Sequence, residues 1–103
     1  PTIASFTGVA NVAPGTGSVS LRAAGVVDLG GSISRVEFIS DTNRNNRLET
    51  RDRLFANATQ SGTDWTLDLD VLTLRVGSNR FWVRAYDNLG VVSSTQTVVV
   101  TVV

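Results

Sequence analysis

Along most of this chain apolar side chains recur at every second position, and that period decides the fold class. Successive side chains of a strand point to opposite faces, so an alternating run offers one face to a core and one to water. In "GSVSLRAAG" Val19, Leu21 and Ala23 alternate with Ser18, Ser20 and Arg22. In "RVEFIS" Val36 and Phe38 alternate with Arg35 and Glu37, and in "DWTLDLDV" Trp65, Leu67 and Leu69 alternate with acidic and Thr positions. In "NRFWVRAYD" Phe81, Val83 and Ala85 alternate with Trp82, Arg84 and Tyr86, and the closing "STQTVVVTVV" is rich in β-branched residues. No helix-length stripe competes: "NRLETRDRLF" would set Leu48 apart from Leu54 and Phe55.

With an opening strand near Ile3 to Phe6 and a short one near Asp52 to Ala58, the count is about seven strands. Turn signals separate them: "APGTG", "DLGGS", "QSGTD", "VGSN" and "DNLG". The expectation is an all-β, two-sheet sandwich with Greek-key connections. A slip of one residue would carry Asp68 and Asp70 into the core, so the face of Trp65, Leu67 and Leu69 is strongly fixed. Trp65, Leu67, Val83 and Phe38 are expected inside; Arg84 and Asp68 are expected in water.

A length of 103 residues makes residues 1–103 a single domain, with enough chain for a core of its own. Nine basic residues, all Arg, balance nine acidic ones, which removes the electrostatic case for nucleic acid or an anionic membrane surface. No apolar run approaches the ~18 residues of a membrane-spanning helix. There is no Cys and no His, so disulfides, thiolate metal sites and the commonest general base are excluded. Serines lack a base to activate them. The Arg-only basic set suggests a GC-rich, bacterial source. The absence of Met and the first residue, Pro1, point to a segment of a longer polypeptide.

The chain resembles a bacterial immunoglobulin-like repeat. A Gly-x-Ile-x-x-Val-x-Phe strand is matched by Gly31, Ile33, Val36 and Phe38, and an aromatic-x-Val-x-Ala-x-Asp-x-x-Gly segment by Phe81, Val83, Ala85, Asp87 and Gly90. The resemblance runs from about Val19 to the end. It implies a non-catalytic spacer or adhesive unit of a large surface or secreted protein. Its partners would be neighbouring domains of the same polypeptide, and a cell-surface protein or glycan. It implies an extracellular or cell-surface location and supplies no catalytic site.

"DTNRNNRLETRD", residues 41 to 52, departs from the alternation. A calcium loop of the EF-hand type places its oxygen ligands at positions 1, 3, 5, 7, 9 and 12, with the backbone carbonyl serving at 7. Here those positions hold Asp41, Asn43, Asn45, Arg47, Glu49 and Asp52, with aliphatic Leu48 at position 8. The stretch also resembles dockerin-type calcium loops, which close with Asp. Calcium takes six to eight hard oxygen ligands, which is why carboxylates and amides recur at this spacing. Two features oppose it. The Gly expected at position 6 is Asn46, and Arg44, Arg47 and Arg51 offset the charge of Asp41, Glu49 and Asp52. Without an ion, the same residues make Asx-turns in a solvated loop.

Three further groups have a functional and a structural reading. Asp68 and Asp70 form a carboxylate pair two residues apart, or simply the polar face of a strand. Trp82 and Tyr86, on the outward face with Arg84 between them, form an aromatic platform for a sugar or protein ligand, or pack against the stems of Arg35 and Glu37. The platform reading makes the chain a carbohydrate- or substrate-binding accessory domain of a secreted enzyme. Asn57-Ala58-Thr59 is a glycosylation acceptor only in a eukaryotic secretory setting.

Overall fold

In a computed structural model that describes residues 1–15, 17–49, 52–55 and 58–103, the alternating runs become the strands of two sheets. The strands are β1 (Thr2–Thr7), β2 (Asn11–Val12), β3 (Ser18–Val27), β4 (Ile33–Ser40), β5 (Arg53–Phe55), β6 (Thr59–Ser61), β7 (Asp64–Asp70), β8 (Gly77–Asp87) and β9 (Gln96–Val102). One sheet has the order β1-β3-β7-β6 and the other β2-β9-β8-β4-β5. Pairing is antiparallel except for β2, which runs parallel to β9. β1 begins beside Val27, and β9 finishes beside Val12 and Gly77, so the two strands leave opposite ends of a body 43 × 26 × 19 Å in extent.

The core lies between the sheets. Leu21, Phe38, Val83, Ala85 and Val100 are fully buried, with Leu67 and Leu69 completing the face read from "DWTLDLDV". Phe6 and Phe38 meet edge to face across the two sheets, with ring centroids 5.7 Å apart, a favoured aromatic geometry. Asp68 faces solvent and accepts from Ser20 Oγ at 2.5 Å. Asp70 is the cap of a short 3-10 turn, Val71–Thr73, accepting from the Leu72 amide at 3.0 Å. The polar-face reading therefore accounts for both carboxylates.

Four expectations need correction. Arg84, expected in water, is partly buried and paired with Glu37 at 2.8 Å. The described strands exceed the expected seven, because β2 and β6 are two- and three-residue edge strands without an alternating signature. Trp65 is only half-buried: it sits at the start of β7, paired with Ala23 and Gln60, and packs against the core from its margin. Trp82 points outward as the alternation requires, yet it is 8% exposed. Its partner across the ladder, Ile39, is also outward-facing and 2% exposed. The outer face of the larger sheet is therefore covered at this point, which a period of two cannot reveal.

Candidate functional site

The 41–52 loop joins β4 to β5. The last ladder pair is Ser40 with Arg53, so Asp41 and Asp52 stand one step further on, at the two sides of the loop's mouth. Ile39 and Leu54 form the preceding pair. By alternation Asp41 and Asp52 share the outward face with them. Both residues are buried, each 7% exposed.

Each carboxylate is half satisfied, and by the loop itself. Asp41 Oδ2 accepts from the Asn46 amide at 2.8 Å, and Asp52 Oδ2 accepts from the Glu49 amide at 2.9 Å. The other oxygen of each, Oδ1, is buried with no hydrogen-bond partner among the described residues. Among the described residues neither forms an ion pair. Arg44 and Arg80 line the hollow beside Asp41, but their guanidinium groups are directed elsewhere. Arg44 donates to the Val76 carbonyl at 2.9 Å, and Arg80 donates to Asn46 Oδ1 at 3.2 Å and Thr97 Oγ1 at 2.9 Å. A buried, unpartnered carboxylate oxygen is destabilising by about 1–3 kcal/mol or more, and two at one mouth add mutual repulsion.

The remaining loop ligands form a hydrogen-bonded arc. Asn43 Nδ2 and Asn45 Nδ2 both donate to Glu49 Oε1, at 2.8 and 2.5 Å. Asn43 Oδ1 accepts from the Asn45 amide at 3.4 Å and Asn45 Oδ1 from the Arg47 amide at 3.0 Å, the Asx-turns expected of such a sequence. Asn46, in the place of the missing Gly, adopts φ 60°, and Arg44 adopts φ 54°. The loop thus makes the left-handed turn with Asn, which tolerates it better than most residues. The structure joins Asn43, Asn45 and Glu49 in one network and buries Asp41 and Asp52 at the mouth. Among the described residues no three acidic groups gather into a ready metal cage.

The two aromatic rings do not lie open side by side. Trp82 is covered. The Tyr86 ring carries the Arg35 guanidinium 3.8 Å from its centroid and the Arg84 guanidinium at 5.7 Å. Glu37 joins both arginines, at 3.3 and 2.8 Å, so the packing of Tyr86 against these strands accounts for it. Asn57 of the glycosylation acceptor lies outside the described residues.

One polar residue that sequence reasoning placed only in a resemblance has a clear structural role. Asp87 is buried, and its Oδ1 accepts from the amides of Leu89 and Val91 at 2.9 and 2.8 Å. It builds the turn that Gly90 completes at φ 85°. The Asp-x-x-Gly spacing was the available signal.

No family model and no curated protein matches the chain. Among solved structures it is similar to the fibronectin(III)-like modules of CbhA from Clostridium thermocellum, with a TM-score of 0.66 over 95% of this chain and 93% of that chain. Identity is 22%, so the likeness is one of fold: a two-sheet sandwich of the immunoglobulin-like and fibronectin(III)-like kind.

Proposed function

We propose that this chain is a non-catalytic structural module of a larger bacterial protein outside the cell, a spacer or adhesive unit whose 41–52 loop takes up calcium. The observation that carries the calcium reading is the pair Asp41 and Asp52. Both are buried at one mouth, each with a carboxylate oxygen that no group of the described residues satisfies. A divalent cation there would satisfy both oxygens and cancel their repulsion. Asn43, Asn45, Glu49 and the Arg47 carbonyl are the further oxygens within the loop, and Glu49 would exchange its asparagine amides for the ion. Three Arg against three acids make for weak binding, on the order of 10⁻⁴–10⁻³ M, as in extracellular modules.

The module reading rests on the fold and on the chain's chemistry. Strands that leave opposite ends of an elongated sandwich suit a unit placed in series. With no His or Cys in the sequence, and both Asp68 and Asp70 engaged in local hydrogen bonds, a catalytic constellation has no obvious members. Its partners would be neighbouring domains of the same polypeptide and a cell-surface protein or glycan. Binding of a sugar at Trp82 and Tyr86 has lost its support, since one ring is buried and the other carries Arg35.

Calorimetric titration with calcium chloride tests the site. A one-to-one isotherm in the wild type that disappears in Asp52→Ala is expected. Heats indistinguishable from dilution up to about 10 mM calcium, ten times the weakest affinity in that range, would remove the calcium reading.

A further inference from the structure

Ile39 and Trp82 are buried on a face of the sheet that points away from the core. A side chain on an outward face loses contact with water only if other chain lies over it. The covering chain here is the loop. Leu48, Glu49, Asp52 and Leu54 line one hollow with Ile39 and Arg84. Asn46 accepts from Arg80, which by alternation shares the Trp82 face two residues away, and Arg44 holds the Val76 carbonyl. The segment from Asn46 to Glu49 thus lies against the outer face of β4 and β8, held there by the Arg80 hydrogen bond, while Arg44 ties the loop to Val76 just before β8.

The mouth of that same segment holds the two half-satisfied carboxylates. Resting on the calcium reading above, we infer that the loop is an ion-held cover over the Ile39–Trp82 pair, so that calcium occupancy and burial of this apolar surface form one equilibrium. Calcium draws Asp41 and Asp52 together and keeps Leu48 and Asn46 over the sheet. Without calcium, repulsion at the mouth favours the lifted loop, which uncovers Trp82 and Ile39 and frees the already exposed segment around Arg44 and Arg47 to enter a protease. Calcium concentration would then set how resistant the module is to proteases, with the sandwich itself intact in both states.

The test uses the whole chain with calcium chloride or EDTA and two readouts. In Trp65→Phe, where Trp82 is the sole tryptophan, removal of calcium should shift emission to longer wavelength and increase quenching by acrylamide. In the wild type, trypsin should cut after Arg44 and Arg47 about tenfold more slowly at ten times the calcium Kd than in EDTA, because cleavage follows the open population. The wild-type proteolysis decides the matter even if Trp65→Phe folds poorly. If calcium raises the melting temperature but leaves Trp82 emission and cleavage after Arg47 unchanged, the ion binds without holding a cover, and only this inference falls. If calcium alters neither melting, emission nor cleavage, the calcium reading falls and takes the inference with it.

Discussion

Trp82→Ala separates a covered tryptophan from a ligand platform. A tryptophan side chain buries about 150–250 Å², and this residue stays only 8% exposed. At about 25 cal/mol per Å² the lost transfer energy is about 4–6 kcal/mol. Collapse of the cover onto Ile39 would recover part of it, which places the cost within the ~3–5 kcal/mol observed for Trp→Ala changes. For a chain of this length about 3 kcal/mol lowers Tm by at least ~12 °C. Urea and thermal melts in millimolar calcium measure the loss. A platform tryptophan would give a variant that melts like the wild type and has lost only a ligand. A loss below about 1 kcal/mol would refute the covered position of Trp82 and, with it, the folding of the loop over the sheet.

Leu67→Ala should be destabilising by about 2–5 kcal/mol in urea melts, since Leu67 is 3% exposed between the sheets; the fully exposed Leu29→Ala should stay within about 0.5 kcal/mol of wild type. Gly25→Ala should lose about 1–3 kcal/mol, because Gly25 sits at φ 62° and an added Cβ would come 2.7 Å from Ala4 Cβ. The Arg22 side chain, the Gly25 amide and the Arg22 charge hold the Asp64 carboxyl below its ordinary pKa. A depressed carboxyl adds stability that is complete above its unfolded pKa and is lost as pH falls through the folded one. Asp64→Asn should therefore flatten the acid limb of a melting-temperature profile below roughly pH 4 and leave the slope near neutral pH unchanged.

The period of two made the fold and most of its core legible. Phe38, Leu67, Leu69 and Val83 lie where alternation assigns them, because the side of a strand is a local property of the backbone. Whether the outward side is wet depends on what chain returns over it, and so Trp82 was legible in direction but not in burial. Trp65 shows the converse: it lies near the start of its strand, and its ring reaches only the margin of the core. The edge strands β2 and β6 are too short to show a period. In the loop, the spacing of Asp41, Asn43, Asn45, Glu49 and Asp52 was legible. The burial of only the two terminal carboxylates was not, since it follows from their place beside the last ladder pair.

The calcium reading is tested most directly by thermal melts of wild type and Asp41→Asn, each in EDTA and in calcium at about ten times Kd. The substituted amide keeps an oxygen for the Asn46 N–H, removes one charge from the mouth and presents a donor to Asp52. Asp41→Asn should melt at or above the wild type in EDTA. Calcium should raise the wild type by about 1.4 kcal/mol, or roughly 6–11 °C, and leave the variant where it was, so that the order of stability reverses. A wild type that does not respond to calcium, or a variant that rises equally with it, would contradict an ion held between Asp41 and Asp52.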